Sequence, residues 1–152
     1  WVTVMRLREE GAEVVTVGPS TEPVSGKNAL EAQADTTPDG VEASELDGIV
    51  VPGGWAPDKL RRYQEITGLV RAVHERGKTV GIICHGGLVA ISAGIVSGVR
   101  ATGSLGIKDD LENAGATWVD EPAFREGNLV WGRVVPDIPD FSRELVAALA
   151  EQ

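Results

Sequence analysis

The chain has little of the chemistry on which disulfide-stabilised and metal-binding proteins depend. Its 152 residues include one cysteine and two histidines. One cysteine excludes an intramolecular disulfide and a cysteine-only zinc site, and two histidines are few for a histidine-based metal centre. No apolar run reaches the ~18 residues of a transmembrane helix, and no signal peptide is visible. We therefore expect a cytoplasmic protein that needs no metal or other cofactor.

Basic and aromatic residues are also scarce. Lysine and arginine total 14 against 23 acidic residues, which gives a net charge of -9. Such a chain offers no basic stripe for nucleic acid and is repelled by an anionic membrane surface. Aromatic residues make up 5% of the chain, so aliphatic residues must fill the core. Because the length suits one core and no repeat or linker is visible, we predict a single domain over residues 1–152.

Strand-like and helix-like patterns alternate along the chain, with a short hairpin pattern around 24–30 in the loop-like stretch 18–44. Strands are predicted at 13–17, 46–51, 79–83, 99–102, 117–119 and 129–131, the last two paired around a turn at 126–128. Helices are predicted at 1–10, 56–76 with a break near 67–68, 88–93, 106–114 and 139–150. This alternation predicts an α/β fold with a mainly parallel sheet and helices on both faces. In such sheets the site lies at the carboxyl ends of the strands.

The helical pattern at 1–10 places Val2, Met5 and Leu7 on its apolar side, and Gly11 is a suitable residue to end it. A parallel α/β sheet rarely begins with a helix that follows no strand. We therefore expect that a first strand precedes Trp1 in the natural protein, or that another chain supplies it.

The stretch with the most chemical content is the apolar run 79–83 and the residues that follow it, Cys84, His85, Gly86 and Gly87. The glycines permit a sharp turn from a buried strand into a helix. A cysteine at such a turn is lifted out of the sheet, beside helix N–H groups that favour the thiolate. The arrangement parallels a nucleophile elbow with Cys in place of Ser. The alternative is an inert cysteine that packs as a small hydrophobe.

Pro52, Gly53 and Gly54 end the neighbouring predicted strand, so that they would face the cysteine. They are either a plain turn or an oxyanion hole, in which a glycine N–H joins an N–H from the helix after Cys84. His85 can serve as the base if the turn folds it back, although adjacent side chains usually diverge.

Two further residues near this turn have open roles. Asp58 is either the carboxylate that orients the imidazole or a first-turn residue that complements the helix dipole. Trp55, like Trp131, either lines a pocket or packs.

These residues carry a resemblance to the DJ-1/PfpI superfamily, and within it to the branch of PfpI-type intracellular proteases and general stress proteins. The resemblance covers nearly the whole chain, through the segments 7–14, 50–58, 83–86, 91–94, 106–120 and 145–146. The run Gly-Ile-Lys-Asp-Asp, Asn-Ala-Gly and Trp-Val-Asp within 106–120 is specific to that branch.

The resemblance implies a flavodoxin-like three-layer α/β sandwich that assembles as a dimer or hexamer. It implies Cys84 as nucleophile, His85 as base, and an oxyanion hole at Gly54 with its neighbours Gly53 and Gly86. It also implies that Asp58 completes a triad from a neighbouring subunit. The family residue there is typically Glu, which is one methylene longer.

The sequence departs from the family at two places. The family has an acidic residue after its first strand, which would lie before Trp1. Gly87 stands where the family usually has proline, which predicts a looser first helical turn.

The resemblance implies a cysteine-dependent hydrolase or lyase. Its substrates would be peptides or small reactive carbonyls such as methylglyoxal and their adducts, and the absence of an obvious peptide groove favours the second class. The alternative is a non-enzymatic thiol redox sensor or stress-response protein. A glutamine amidotransferase is disfavoured because no histidine follows His85.

Overall fold

A computed structural model describes all residues from Trp1 to Gln152. The helices are α1 Val2–Glu9, α2 Ala56–Leu60, α3 Gln64–Glu75, α4 Gly87–Ala93, α5 Lys108–Asn113 and α6 Ile138–Ala150. The strands are β1 Val24–Ser25, β2 Glu31–Ala32, β3 Gly48–Val51, β4 Thr79–Ile83, β5 Arg100–Ala101, β6 Thr117–Trp118, β7 Ala123–Glu126 and β8 Leu129–Gly132. None of these helices combines the length and apolar character that crossing a bilayer requires.

The central sheet has four strands in the order β3-β4-β8-β7. The first three run parallel, and β7 is antiparallel to β8. In the register of β3 and β4, Val51 lies beside Ile82, so the two strands end side by side. This confirms the predicted mainly parallel sheet and brings the turns after β3 and β4 together at one edge.

The strand β4 shows why the sheet is covered on both faces, since all five of its residues are buried. Val80 and Ile82 belong to a cluster of 19 buried residues that includes apolar side chains of α3, α4 and α5. Ile83 points into the other layer, where it joins Phe141 and Leu145 of α6. The alternation of a strand's side chains thus builds two cores, one on each face.

The prediction of a strand at 13–17 was wrong. The segment forms only one bridge, between Val17 and Thr36, and β3 has a strand partner on one side alone. Without a neighbouring strand, its β-branched residues have no ladder to join. Along α1, Leu7 is buried, but Val2 and Met5 are 58% and 69% exposed, so the expected apolar side is only partly used.

One helix boundary and one strand pairing also differ from the prediction. The long helical pattern breaks at residues 61–63 rather than at 67–68, because α3 continues through Gly68. The strand β6 pairs with β5, whereas β8 pairs with β7 around Gly127. The expected turn at 126–128 is therefore present, but it joins a strand that the sequence did not reveal.

Candidate active site

Cys84 lies immediately after β4, at the edge of the sheet where β3 also ends. Its φ of 59° is in the left-handed region. Such a backbone costs a residue with a Cβ about 1–2 kcal/mol. The chain continues through a short 3-10 turn, Cys84–Gly86, directly into α4. This strand–turn–helix is the local geometry of a nucleophile elbow.

Three glycines allow other segments to approach this turn closely. A Cβ on Gly53 would lie 2.6 Å from the Cβ of Cys84, and one on Gly86 would lie 2.6 Å from the carbonyl oxygen of Val51. A Cβ on Gly103 would lie 2.7 Å from the carbonyl oxygen of Cys84. These contacts fix the elbow between β3 and the segment after β5. Sequence reasoning missed Gly103, since nothing local marks a glycine that approaches a distant backbone.

Gly87 is buried and begins α4 with helical backbone angles. A Cβ there would lie 2.8 Å from Cδ1 of Ile107, so the residue permits a close approach between α4 and the turn before α5. This contact is the physical role of the glycine in the first turn of α4.

The thiol and the imidazole of neighbouring residues meet in this turn. Sγ of Cys84 lies 3.4 Å from Nδ1 of His85, and both side chains are half-buried. The imidazole is therefore within reach of the thiol proton.

The turn after β3, in which Gly53 packs against Cys84, contains free backbone donors. The N–H groups of Gly53 and Gly54 donate no hydrogen bond within the protein. Gly54 has a φ of 75°, a conformation that glycine adopts without strain. Unpaired N–H groups beside a nucleophile are the donors that a developing oxyanion needs.

An open cavity of about 520 Å³ adjoins His85. The side chains of Trp55, Leu88 and Ile107 form its apolar lining, and Gly54 contributes backbone. The Trp55 ring lies 5.4 Å from the His85 ring, centroid to centroid, at an angle of 41°. His85 lines this cavity, and Cys84, its neighbour in the chain, is not among the lining residues.

Asp58 lies in the first turn of α2 and lines the same cavity. Its carboxylate is exposed and forms an ion pair with Arg62 one helical turn on. No hydrogen bond joins Asp58 to His85 of the same chain. Within one chain, therefore, the structure brings Cys84 and His85 together and leaves Asp58 with a different partner.

Comparison with known proteins places this geometry in a family. A sequence profile of the DJ-1/PfpI family matches residues 1–148. The protein "Deglycase PH1704" of Pyrococcus horikoshii is 40% identical over 144 residues, which cover 95% of this chain and 87% of the relative. The protein "General stress protein 18" of Bacillus subtilis is 37% identical over 146 residues, which cover 94% of this chain and 85% of the relative.

A solved structure agrees with the sequence relatives. It is a two-domain protein from Anabaena variabilis with DJ-1/ThiJ/PfpI-like and ferritin-like domains. The match has 38% identity and a TM-score of 0.95, and it covers 98% of this chain but 43% of that protein. This chain thus spans less than half the length of that two-domain protein. The flavodoxin-like α/β sandwich is confirmed, and the chain belongs to the DJ-1/PfpI family.

Proposed function

We propose that the chain is a cysteine-dependent hydrolase or lyase of small reactive carbonyl compounds and their adducts. The observation that carries this proposal is the 3.4 Å contact between Sγ of Cys84 and Nδ1 of His85 on a strained elbow. The relative named as a deglycase supports the substrate class. The open cavity beside His85, about 520 Å³, is large enough for a small molecule.

The proposed chemistry assigns a role to each of these groups. His85 takes the thiol proton, and Sγ of Cys84 attacks the carbonyl carbon, so that a carbon–sulfur bond forms as the carbonyl π bond breaks. The resulting oxyanion accepts hydrogen bonds from the N–H groups of Gly53 and Gly54, with Gly86 on the cysteine side. With methylglyoxal, His85 returns its proton to the oxygen to give a thiohemiacetal. It then carries a proton from the sulfur-bearing carbon to the neighbouring carbonyl carbon, so that a thioester of a hydroxy acid forms, and water hydrolyses this thioester to release the hydroxy acid and the free thiol. With an adduct, Sγ first displaces the bound thiol or amine, which leaves with the proton from His85.

Asp58 enters this proposal through a second copy of the chain. Its carboxylate is exposed, lies at the rim of the cavity, and is held by Arg62 rather than by His85. We propose that in a homo-oligomer it accepts a hydrogen bond from His85 of a neighbouring subunit and so orients that imidazole. The exposed Trp55 beside it, at 81%, gives the same rim an apolar surface that association would cover.

The first test measures methylglyoxal consumption by the wild-type protein and by Cys84→Ala, with a peptide substrate assayed in parallel. We expect turnover of methylglyoxal that the substitution abolishes. Retention of full turnover by Cys84→Ala would contradict a cysteine nucleophile. Circular dichroism of the variant serves as the folding control.

A mixing experiment tests the position of Asp58. Cys84→Ala and Asp58→Asn are each expected to be inactive or strongly impaired as pure proteins. Mixed oligomers in which Asp58 comes from one subunit and Cys84 from the next should regain part of the activity. If the carboxylate instead serves its own chain, mixing restores nothing.

The half-exposed thiol beside an imidazole also favours a second candidate, a redox sensor. Such a cysteine passes through the sulfenic to the sulfinic acid when peroxide is the oxidant. Peroxide titration followed by intact mass distinguishes the two. Resistance of Cys84 to oxidation until the protein unfolds would exclude the sensor.

A further inference from the structure

The cavity beside His85 carries two basic side chains that the proposed chemistry does not use. Both Lys59 and Arg61 line it. Eight of the 14 basic residues form ion pairs, but these two do not. The protein as a whole carries a net charge of -9, and yet two positively charged side chains without an acidic partner lie at this one cavity.

Arg61 is held in place without being neutralised. Its Nε donates a hydrogen bond of 2.9 Å to Oγ of Ser92 on α4, and the side chain is half-buried. The other guanidinium nitrogens donate no hydrogen bond to the protein, which leaves the planar fork of N–H groups free. A positioned fork of this kind matches the two oxygens of a carboxylate.

The acidic residues of the cavity do not cancel this charge. Asp58 is paired with Arg62, so its charge is already balanced. Asp110 lies in the first turn of α5 and is the one remaining unpaired carboxylate of the lining. Against it stand Lys59 and Arg61, so the unpaired charge of the cavity is positive.

We propose that this cavity binds the carboxylate of an anionic substrate and that Arg61 sets the preference for it. The inference rests on the proposed function and narrows its substrate class. The preferred substrates are adducts of a reactive aldehyde with a thiol or amine that carries a carboxylate. Arg61 binds that carboxylate, while Cys84 and His85 act on the carbonyl-derived carbon.

The test compares two substrates that differ in one group. They are the methylglyoxal hemithioacetals of N-acetylcysteine, which is anionic, and of N-acetylcysteine amide, which is neutral. We expect wild-type kcat/KM to favour the anionic adduct by about tenfold, the effect of one good charge-assisted contact. Arg61→Gln should remove the preference, mainly through KM, whereas Arg143→Gln, which removes an exposed charge of α6, should keep it.

A binding measurement separates this inference from the proposed function. N-acetylmethionine and its amide have no reactive thiol, and their affinities for the Cys84→Ala protein can be compared by calorimetry. The carboxylate should bind about tenfold more tightly, less so as the salt concentration rises. If wild-type protein consumes neither adduct, the proposed function fails, and this binding preference alone decides the carboxylate site.

Two outcomes would overturn the inference. One is equal affinity of the Cys84→Ala protein for the carboxylate and the amide. The other is an Arg61→Gln variant that keeps the wild-type preference. If Arg61→Gln fails to fold because the contact with Ser92 is lost, Arg61→Lys replaces it. That variant keeps the charge without the fork and should show an intermediate preference.

Discussion

Sγ of Cys84 lies 3.4 Å from Nδ1 of His85, although the two residues are neighbours in the chain. Adjacent side chains in a strand point to opposite faces. The left-handed backbone at Cys84 removes that restriction, since it turns the chain sharply before the imidazole. The strained conformation and the contact between thiol and imidazole are therefore one feature.

The backbone strain at Cys84 should be measurable as a difference in the free energy of unfolding between two variants at this position. A glycine at φ 59° avoids the Cβ cost, so Cys84→Gly should be more stable than Cys84→Ala by about 1 kcal/mol. At a position with ordinary helix or strand angles, the alanine variant would instead be the more stable of the two. Urea unfolding of both variants measures the difference. An alanine variant equal to or more stable than the glycine variant would contradict the strain.

Gly53 should be intolerant of any side chain. In Gly53→Ala the new Cβ would lie 2.6 Å from Cβ of Cys84 and 3.2 Å from its sulfur, so one of the two segments must shift. We expect a loss of about 1–3 kcal/mol in the free energy of unfolding and at least tenfold in kcat/KM.

Gly68 provides the control for that substitution. It lies within α3, and no atom is within 4 Å of where its Cβ would be. Gly68→Ala should stabilise the protein by about 0.5–1 kcal/mol and leave kcat/KM unchanged. Similar effects of the two substitutions would show that the contact with Cys84 is unimportant.

Trp55 should affect catalysis without supporting the fold. Its ring contacts His85, and yet it is 81% exposed. Measured on monomeric protein, Trp55→Ala should leave the melting temperature almost unchanged. It should lower kcat/KM about fivefold, because the imidazole and the cavity lose an aromatic neighbour. Tyr63→Ala removes another exposed aromatic ring that lies outside the cavity, and it should be neutral in the same assay. An unchanged kcat/KM in Trp55→Ala would exclude this role.

The hydrogen bonds between Thr16 and Asp35 should make the stability of the protein depend on pH in the acid range. The Thr16 hydroxyl, and then its backbone N–H, donate hydrogen bonds that hold the pKa of Asp35 below its ordinary value. A lowered folded-state pKa stabilises the protein above the unfolded pKa, about 4, and this contribution is lost as the pH falls through the folded value. Melting temperatures from pH 7 to 2 should therefore show a deficit in Asp35→Asn that disappears in acid.

Asp39→Asn is the matched control for the acid experiment. Asp39 is exposed and its side chain makes no hydrogen bond, so its replacement should leave the melting curve close to that of wild type. A deficit in Asp35→Asn that stays constant from neutral to acid pH would contradict the role of the carboxylate charge.

Local sequence patterns were enough to predict the secondary-structure elements next to the candidate site. The apolar run before Cys84 is β4, and the periodic pattern at the end of the chain is α6. The pattern failed at 13–17, where β-branched residues alone do not make a strand without a partner. The strand predicted at 117–119 is present as β6, but its predicted pairing with 129–131 was wrong, because a short strand does not reveal whether its partner lies before or after it in the chain.

The sequence predicted only those parts of the candidate site that consist of residues close together in the chain. Cys84, His85 and the glycines after β3 stand out by residue type and position. The contacts of Trp55 with His85 and of Gly103 with the Cys84 carbonyl join residues about twenty to thirty positions apart, and no period encodes them. Arg61 was missed because its hydrogen-bond partner, Ser92, lies on a different helix.

The strand β4, which leads into Cys84 and lies between two parallel neighbours, should be less mobile than the walls of the cavity beside His85. Its amides pair on both sides and lie in the core, so they should be among the slowest in the protein to exchange with deuterium. The walls, in contrast, include exposed residues such as Trp55 and Asp58 on short segments. Substitutions in the walls can therefore change which molecules the cavity accepts while Cys84 keeps its position.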